Sequence, residues 1–220
     1  MNLPFTTEQF LEVFRNYNLS VWPMQVVLFL LGVVAVYLGR KSSPASGKFI
    51  SAILAFLWLW MGVVYHLVNF STINKAAYAF GVLCIVQGLV FLYAGVFKAS
   101  LSFQYRSDRY GFAGAILILY AMVVYPVLGY LFGHVYPQSP TFGLPCPTTI
   151  FTFGILLWTD SKVPPLVFAI PFLWSIIGSS AALSLGIKED IGLFVAGLAG
   201  TILIIMRNKI NNRAAVGQTV

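Results

Sequence analysis

Seven long apolar stretches, parted by short polar or basic segments, limit what this chain can fold into more than any other feature. They cover residues 20–39, 49–69, 76–97, 111–132, 147–159, 163–185 and 191–206. An apolar run of roughly 20 residues is what a helix needs to cross the hydrocarbon of a bilayer, and roughly 17 suffices where the bilayer thins. The fifth and seventh stretches fall short of that and need extension into their flanks. A transmembrane barrel would instead show alternating segments of about ten residues. Only 9% of the residues are charged, against about 25% in ordinary soluble domains, so the composition excludes a soluble fold as well. The expected architecture is an all-α membrane protein, a seven-helix transmembrane bundle over residues 20–206.

The basic residues orient this bundle. The net charge of +7 would suggest nucleic acid in a soluble protein, but here the lysines and arginines sit in short loops, where they record topology. With the N-terminus outside, the cytoplasmic segments hold Arg40, Lys41, Lys48, Lys98, Arg106, Arg109, Lys162, Arg207, Lys209 and Arg213. Only Arg15, Lys75 and Lys188 are left for the outer segments. The same count favours an odd number of spans, since an even number would separate the basic first loop from the basic tail at 207–220.

Residues 1–19 lack the basic start and apolar middle of a cleavable signal, and carry Glu8 and Glu12. Thr6 with Gln9 fits a capping box, and Phe10, Leu11 and Phe14 share one helical face. The segment reads as an amphipathic helix lying on the membrane surface or over the mouth of the bundle.

Sorted by this orientation, the hydrogen-bonding side chains gather at the outer end. His66 and Asn69 close the second span, Asn74 follows in the next loop, and Tyr125 and His134 lie toward the outer end of the fourth. Cys146, Thr148 and Thr149 then occupy a proline-flanked entry to the fifth span. Pro147 suits the first turn of that helix, which leaves the amides of Thr148 and Thr149 free and the Cys146 thiol at the positive end of the helix dipole. Glu189 and Asp190 begin the seventh span, where acidic side chains complement the dipole. No charged residue lies mid-span, which counts against a proton-relay pump or a voltage sensor. The seventh span has no lysine, which removes a retinal Schiff base.

Three strings carry a resemblance across nearly the whole chain: Trp60-Met-Gly-Val-Val-Tyr-His66, Ile73-Asn-Lys-Ala-Ala-Tyr-Ala-Phe-Gly81 and Gly143-Leu-Pro-Cys-Pro-Thr-Thr-Ile-Phe-Thr-Phe-Gly154. They resemble an uncharacterised bacterial family of multi-pass membrane proteins, catalogued only as a domain of unknown function. The resemblance implies a bacterial inner-membrane location and brings no activity, cofactor or catalytic residue with it.

Function therefore rests on the polar end. The first reading is a binding or transport protein whose outward-facing small-molecule or ion site is lined by His66, Asn69, Asn74, Tyr125, His134, Cys146, Thr148 and Thr149. Within it, His66, His134 and Cys146 are the candidate ligands of zinc or copper, although their spacing matches no compact motif. The second reading is an accessory or scaffolding subunit. The third is a membrane enzyme with Cys146 as nucleophile and His66 or His134 as base. Gly192, Ala196 and Gly200 recur every four residues, a stripe over which another helix, including one from a second copy, can approach closely. Gln87, in the middle of the third span, is expected to hydrogen-bond to a neighbouring helix. Cys84 and Cys146 are expected to remain unpaired. A reporter enzyme fused after Met206 should be active only in the cytoplasm; activity on the outer side would overturn the orientation.

Overall fold

A computed structural model of the protein describes residues 4–41, 43 and 45–217, with side chains to residue 210. Residues 1–3 and 218–220 and the side chain of Arg213 lie outside the described residues. Eight helical stretches account for most of the rest: α1 (Thr7–Ser20), α2 (Met24–Lys41), α3 (Ser46–Thr72), α4 (Ala77–Phe97), α5 (Arg109–Leu131), α6 (Pro145–Leu156), α7 (Pro165–Leu185) and α8 (Ile191–Gly217). Helix α1 begins with the expected capping box, Gln9 N–H donating to Thr6 Oγ1 at 3.3 Å and Thr6 N–H to Gln9 Oε1 at 2.9 Å.

Backbone and side-chain bonds sort the loops into two ends. At one, Tyr105 N–H reaches Gly39 O (2.8 Å), Gln104 N–H reaches Trp158 O (2.7 Å), and Val163 N–H reaches Asn208 Oδ1 (3.1 Å). This end gathers the close of α2, the segment before α5, the segment after α6 and the late part of α8, and with them most of the basic residues. At the other end Asn18 Nδ2 donates to Pro137 O (2.7 Å) and Ser139 O (2.8 Å), and Trp60 Nε1 donates to Tyr17 Oη (2.8 Å). Helix α1 is thereby fastened over the polar end, where burial pushes the Tyr17 phenol up to about 12 against the Trp60 bond. That phenol stays neutral at any working pH.

Six of these helices, counting the turn Lys188–Asp190 with α8, are long and apolar enough to cross a membrane. The expected fifth span is not among them. Helix α6 has 12 residues, about 18 Å at 1.5 Å per residue, and every residue but Cys146 is buried. It is a core helix ringed by its neighbours. Trp58 of α3 donates to Thr152 Oγ1 at 3.0 Å, and Trp158 Nε1 donates to Gly111 O of α5 at 2.9 Å. Arg207 of α8, itself buried, donates to the terminal carbonyls Leu156 O (3.0 Å) and Leu157 O (2.9 Å) and to the Thr159 hydroxyl. The cationic side chain thus caps the negative end of the short helix, and Arg207 and Asn208 belong to the bundle instead of to a free tail.

Glycines set the closest approaches. Gly62 meets Gly81 between α3 and α4, and Gly114 meets Gly154 between α5 and α6, in each case with a Cβ position about van der Waals overlap distance from the opposing carbonyl, 2.9 Å and 2.6 Å respectively. The stripe on α8 is used inside the chain: Gly192 lies against the Tyr120 ring, Ala196 is fully buried, and a Cβ at Gly200 would sit 2.8 Å from Phe153. The expected role of this stripe in binding a second copy is therefore corrected, because its surface is covered by α5 and α6. Ser175 packs against Gly197, one position off the stripe.

Pro171 interrupts α7. It has no N–H to offer the carbonyl four residues back, and Gln87 Nε2 of α4 supplies the missing bond to Val167 O at 2.9 Å. Gln87 therefore plays the interhelical part its mid-span position suggests. Gln87→Leu leaves that buried carbonyl bare and should lower stability by about 1 kcal/mol, read as a lower melting temperature in detergent. An unchanged melting temperature would show that the carbonyl finds another partner.

Candidate functional site

The short helix determines where the site lies. Because α6 is too short to reach the polar end, the chain must descend to meet it: Phe142 lies against Gly32 of α2, eight residues or about 12 Å below Met24, and packs edge-on to Phe151 at 5.2 Å. The helix then starts within the bundle, where no water serves its free amides. Pro145 occupies its first position with Leu144 as N-cap, so Pro-Cys-Pro fills the first three positions and two of them carry no N–H. Thr148 N–H already bonds Leu144 O at 3.1 Å. The expectation that the helix begins at Pro147, with the Thr148 amide free, is corrected accordingly; only Cys146 among these positions retains an uncommitted N–H.

Above this entry lies a cavity of about 540 Å³, within the range of small-molecule sites. Its floor is Leu144, Pro145 and Cys146, and Phe10 and Phe14 of α1, with Phe5 just before it, form its roof. His66 and Trp174 stand side by side in one wall, their rings 5.0 Å apart at 71°. Asp190 is the acidic residue of the lining. Pro4, Ala76 and Ile176, all exposed, mark where the cavity opens at the flank between α4 and α7.

His66 is fully buried, and neither ring nitrogen has a hydrogen-bond partner; the Trp174 indole N–H is likewise unpaired. Four aromatic neighbours, Tyr65, Phe70, Phe80 and Trp174, surround the imidazole. It sits in a nine-residue π-helical segment, Met61–Asn69, and a second such segment, Tyr120–Val124, leads into Tyr125. In α5 the cause is local, since Pro126 in the following turn lacks the amide that the regular ladder needs.

Asp190 is also buried. Tyr125 O–H donates to its Oδ1 at 2.5 Å, and the Cys146 thiol lies close by. Glu189 turns away to His134, whose Nδ1 lies 2.7 Å from Oε1, while the Glu189 carbonyl accepts from Tyr120 O–H at 2.7 Å.

Of the expected site residues, His66, Asn74 and Cys146 line the cavity, and Tyr125 touches it through Asp190. Asn69 does not; its Nδ2 is turned back to Val64 O at 2.8 Å. His134 is held by Glu189. Thr148 and Thr149 are buried on α6 beneath the cavity, their hydroxyls unpartnered. His66, His134 and Cys146 are not brought together, and among the described residues no group of three His, Cys, Asp or Glu side chains gathers to hold a metal ion. The thiol faces a carboxylate, and neither histidine bonds to it, so the nucleophile and base of the enzyme reading are not paired. Both cysteines are free, as expected.

A family model covers residues 7–215, essentially the entire described bundle. The chain belongs to DUF6064, a family of unknown function. No curated protein and no solved structure matches it. The DUF6064 match spans the roofing helix as well as the bundle, so α1 is part of the family's common unit. Sequence reasoning placed this helix on the membrane surface or over the bundle mouth but counted none of its residues in the site, left Trp174 out of the candidate lining, and read Asp190 as complementing a helix dipole. The signal for Asp190 was its place, with Glu189, at the polar end of a chain whose spans hold no acid besides that pair.

If α1 roofs the cavity, Phe14→Ala should open it. Labelling of Cys146 by N-ethylmaleimide should then quicken several-fold while Cys84, buried on α4, stays unlabelled. Equal labelling of both thiols would indicate general loosening, and no acceleration would mean that α1 does not limit access.

Proposed function

We propose that this DUF6064 protein is a multi-pass protein of the bacterial inner membrane, with its polar end facing outward, that binds one largely apolar small molecule in the cavity beneath α1. The observation that carries this reading is the pair His66 and Trp174. Buried polar atoms nearly always have partners, and here an imidazole and an indole N–H in the wall of one cavity have none. A bound molecule with a hydrogen-bonding group would satisfy them, while the aromatic and aliphatic lining accommodates its apolar body. An outer opening at the flank between α4 and α7 suits entry from the outer leaflet, and the same site serves a binding protein or the outward-facing state of a transporter.

The test uses the neutral apolar probe 1-N-phenylnaphthylamine and native mass spectrometry of the detergent-purified protein. The wild type should carry one probe molecule per chain. Ala181→Phe, which fills the cavity from α7, should carry none while melting at no lower temperature. Equal uptake by both proteins would place the probe elsewhere and remove the support for a site under α1.

A further inference from the structure

The charge pattern of the cavity narrows its ligand class, an inference that rests on the binding reading above. No lysine or arginine lines the cavity, and Asp190 is its acidic side chain. Asp190 is 5% exposed, its neighbours are a phenol and a thiol, and among the described residues no cation forms an ion pair with it. Two basic side chains close to Asp190 in the chain or at the turn before α8 are engaged elsewhere. His134 is hydrogen-bonded to Glu189, and Lys188 lies over the Phe132 ring at 5.6 Å. Hydrogen bonds from hydroxyl and thiol groups keep a carboxylate in place but do not cancel its charge, and an uncompensated charge away from water is strongly unfavourable.

The rest of the wall is aromatic. Tyr65, Phe70, Phe80 and Trp174 form a connected set, with Tyr65 and Phe70 stacked at 5.7 Å and Phe80 edge-on to Trp174 at 5.4 Å. From the roof, Phe5 meets Phe70 at 5.5 Å and Phe14 meets Tyr65 at 6.0 Å. Ring faces present negative potential, and a cation set among them beside a carboxylate is held by both. A neutral His66 ring nitrogen can accept from an ammonium, and the Trp174 N–H can donate to an acceptor on its substituents.

We propose that the cavity is a receptor for a lipophilic organic cation, an amine or onium centre on an apolar body, with Asp190 as its counter-charge. An anionic amphiphile is disfavoured by the same carboxylate and by the lack of any basic lining residue. A neutral one offers no counter-charge and requires Asp190 to be protonated.

Tetraphenylphosphonium and tetraphenylborate test this, being near-identical in shape and opposite in charge. Binding of each to the detergent-purified full chain is measured by isothermal titration calorimetry. The wild type should bind the phosphonium at least ten-fold more tightly than the borate. Asp190→Asn should lose at least ten-fold in phosphonium affinity while keeping its uptake of neutral 1-N-phenylnaphthylamine, which also reports that the variant is folded. Equal binding of the two ions by the wild type overturns the proposal, and needs no variant to do so. Unchanged phosphonium affinity in a folded Asp190→Asn protein overturns it as well. Uptake of the neutral probe without charge preference leaves the binding reading standing and removes the cationic one; failure of all three probes removes both.

Discussion

Everything at the polar end follows from the need to satisfy backbone amides away from water. A helix that starts inside a bundle exposes its first N–H groups to an environment that cannot bond them, and each such group is expensive. Pro145 and Pro147 remove two of the three amides that precede Thr148, and Leu144 O takes the Thr148 amide. The opposite terminus is handled by the Arg207 guanidinium on Leu156 O and Leu157 O. With both ends provided for, α6 can be short. Its shortness opens the space that α1 roofs and the cavity occupies.

The same constraint explains why hydrogen-bonding residues within the spans are mostly structural. Gln87 serves a carbonyl that Pro171 strands, and Thr152 links Trp58 to Thr148 O, donating to the latter at 2.8 Å. Each has a definable backbone or side-chain partner. Unpartnered hydroxyls occur elsewhere, at Ser51, Thr148, Thr149, Ser179 and Thr201, so what sets His66 and Trp174 apart is that their unpartnered nitrogens belong to adjacent rings in one cavity wall.

How far the sequence led can be argued residue by residue. The apolar stretches and the separation of basic from polar ends are written in composition along the chain, and the structure reproduces that separation in space through the bonds at Gly39, Trp158 and Asn208. The strings Tyr78-Ala-Phe-Gly-Val-Leu83 and Phe151-Thr-Phe-Gly-Ile-Leu156 are alike, and the glycine in each is where one helix crosses another backbone to backbone. The count of long helices was not legible. An apolar run entered through Pro-Cys-Pro looks the same whether it meets lipid or is ringed by protein, and only the shortness of the expected span at 147–159 hinted at the second. The fate of Asn69 and His134 was hidden for a different reason. Spacing places a side chain at an end of the bundle but not on a face toward a particular neighbour, and Val64 O and Glu189 claimed these two.

Glu189 and Asp190 show how finely such claims divide. Adjacent in the chain, both acidic and both buried, they enter the same turn before α8, and capping explains either equally well from sequence. The turn sends their side chains in different directions. Glu189 finds an imidazole that can carry positive charge, and its peptide carbonyl is held by Tyr120, so its part is to fasten the turn to α5 and to the segment at His134. Asp190 finds only groups that donate hydrogen bonds while staying neutral, at the edge of an aromatic cavity. Two carboxylates one peptide apart thus take opposite roles, one compensated within the protein and one left for whatever enters. The difference comes from their neighbours, not from the residues themselves.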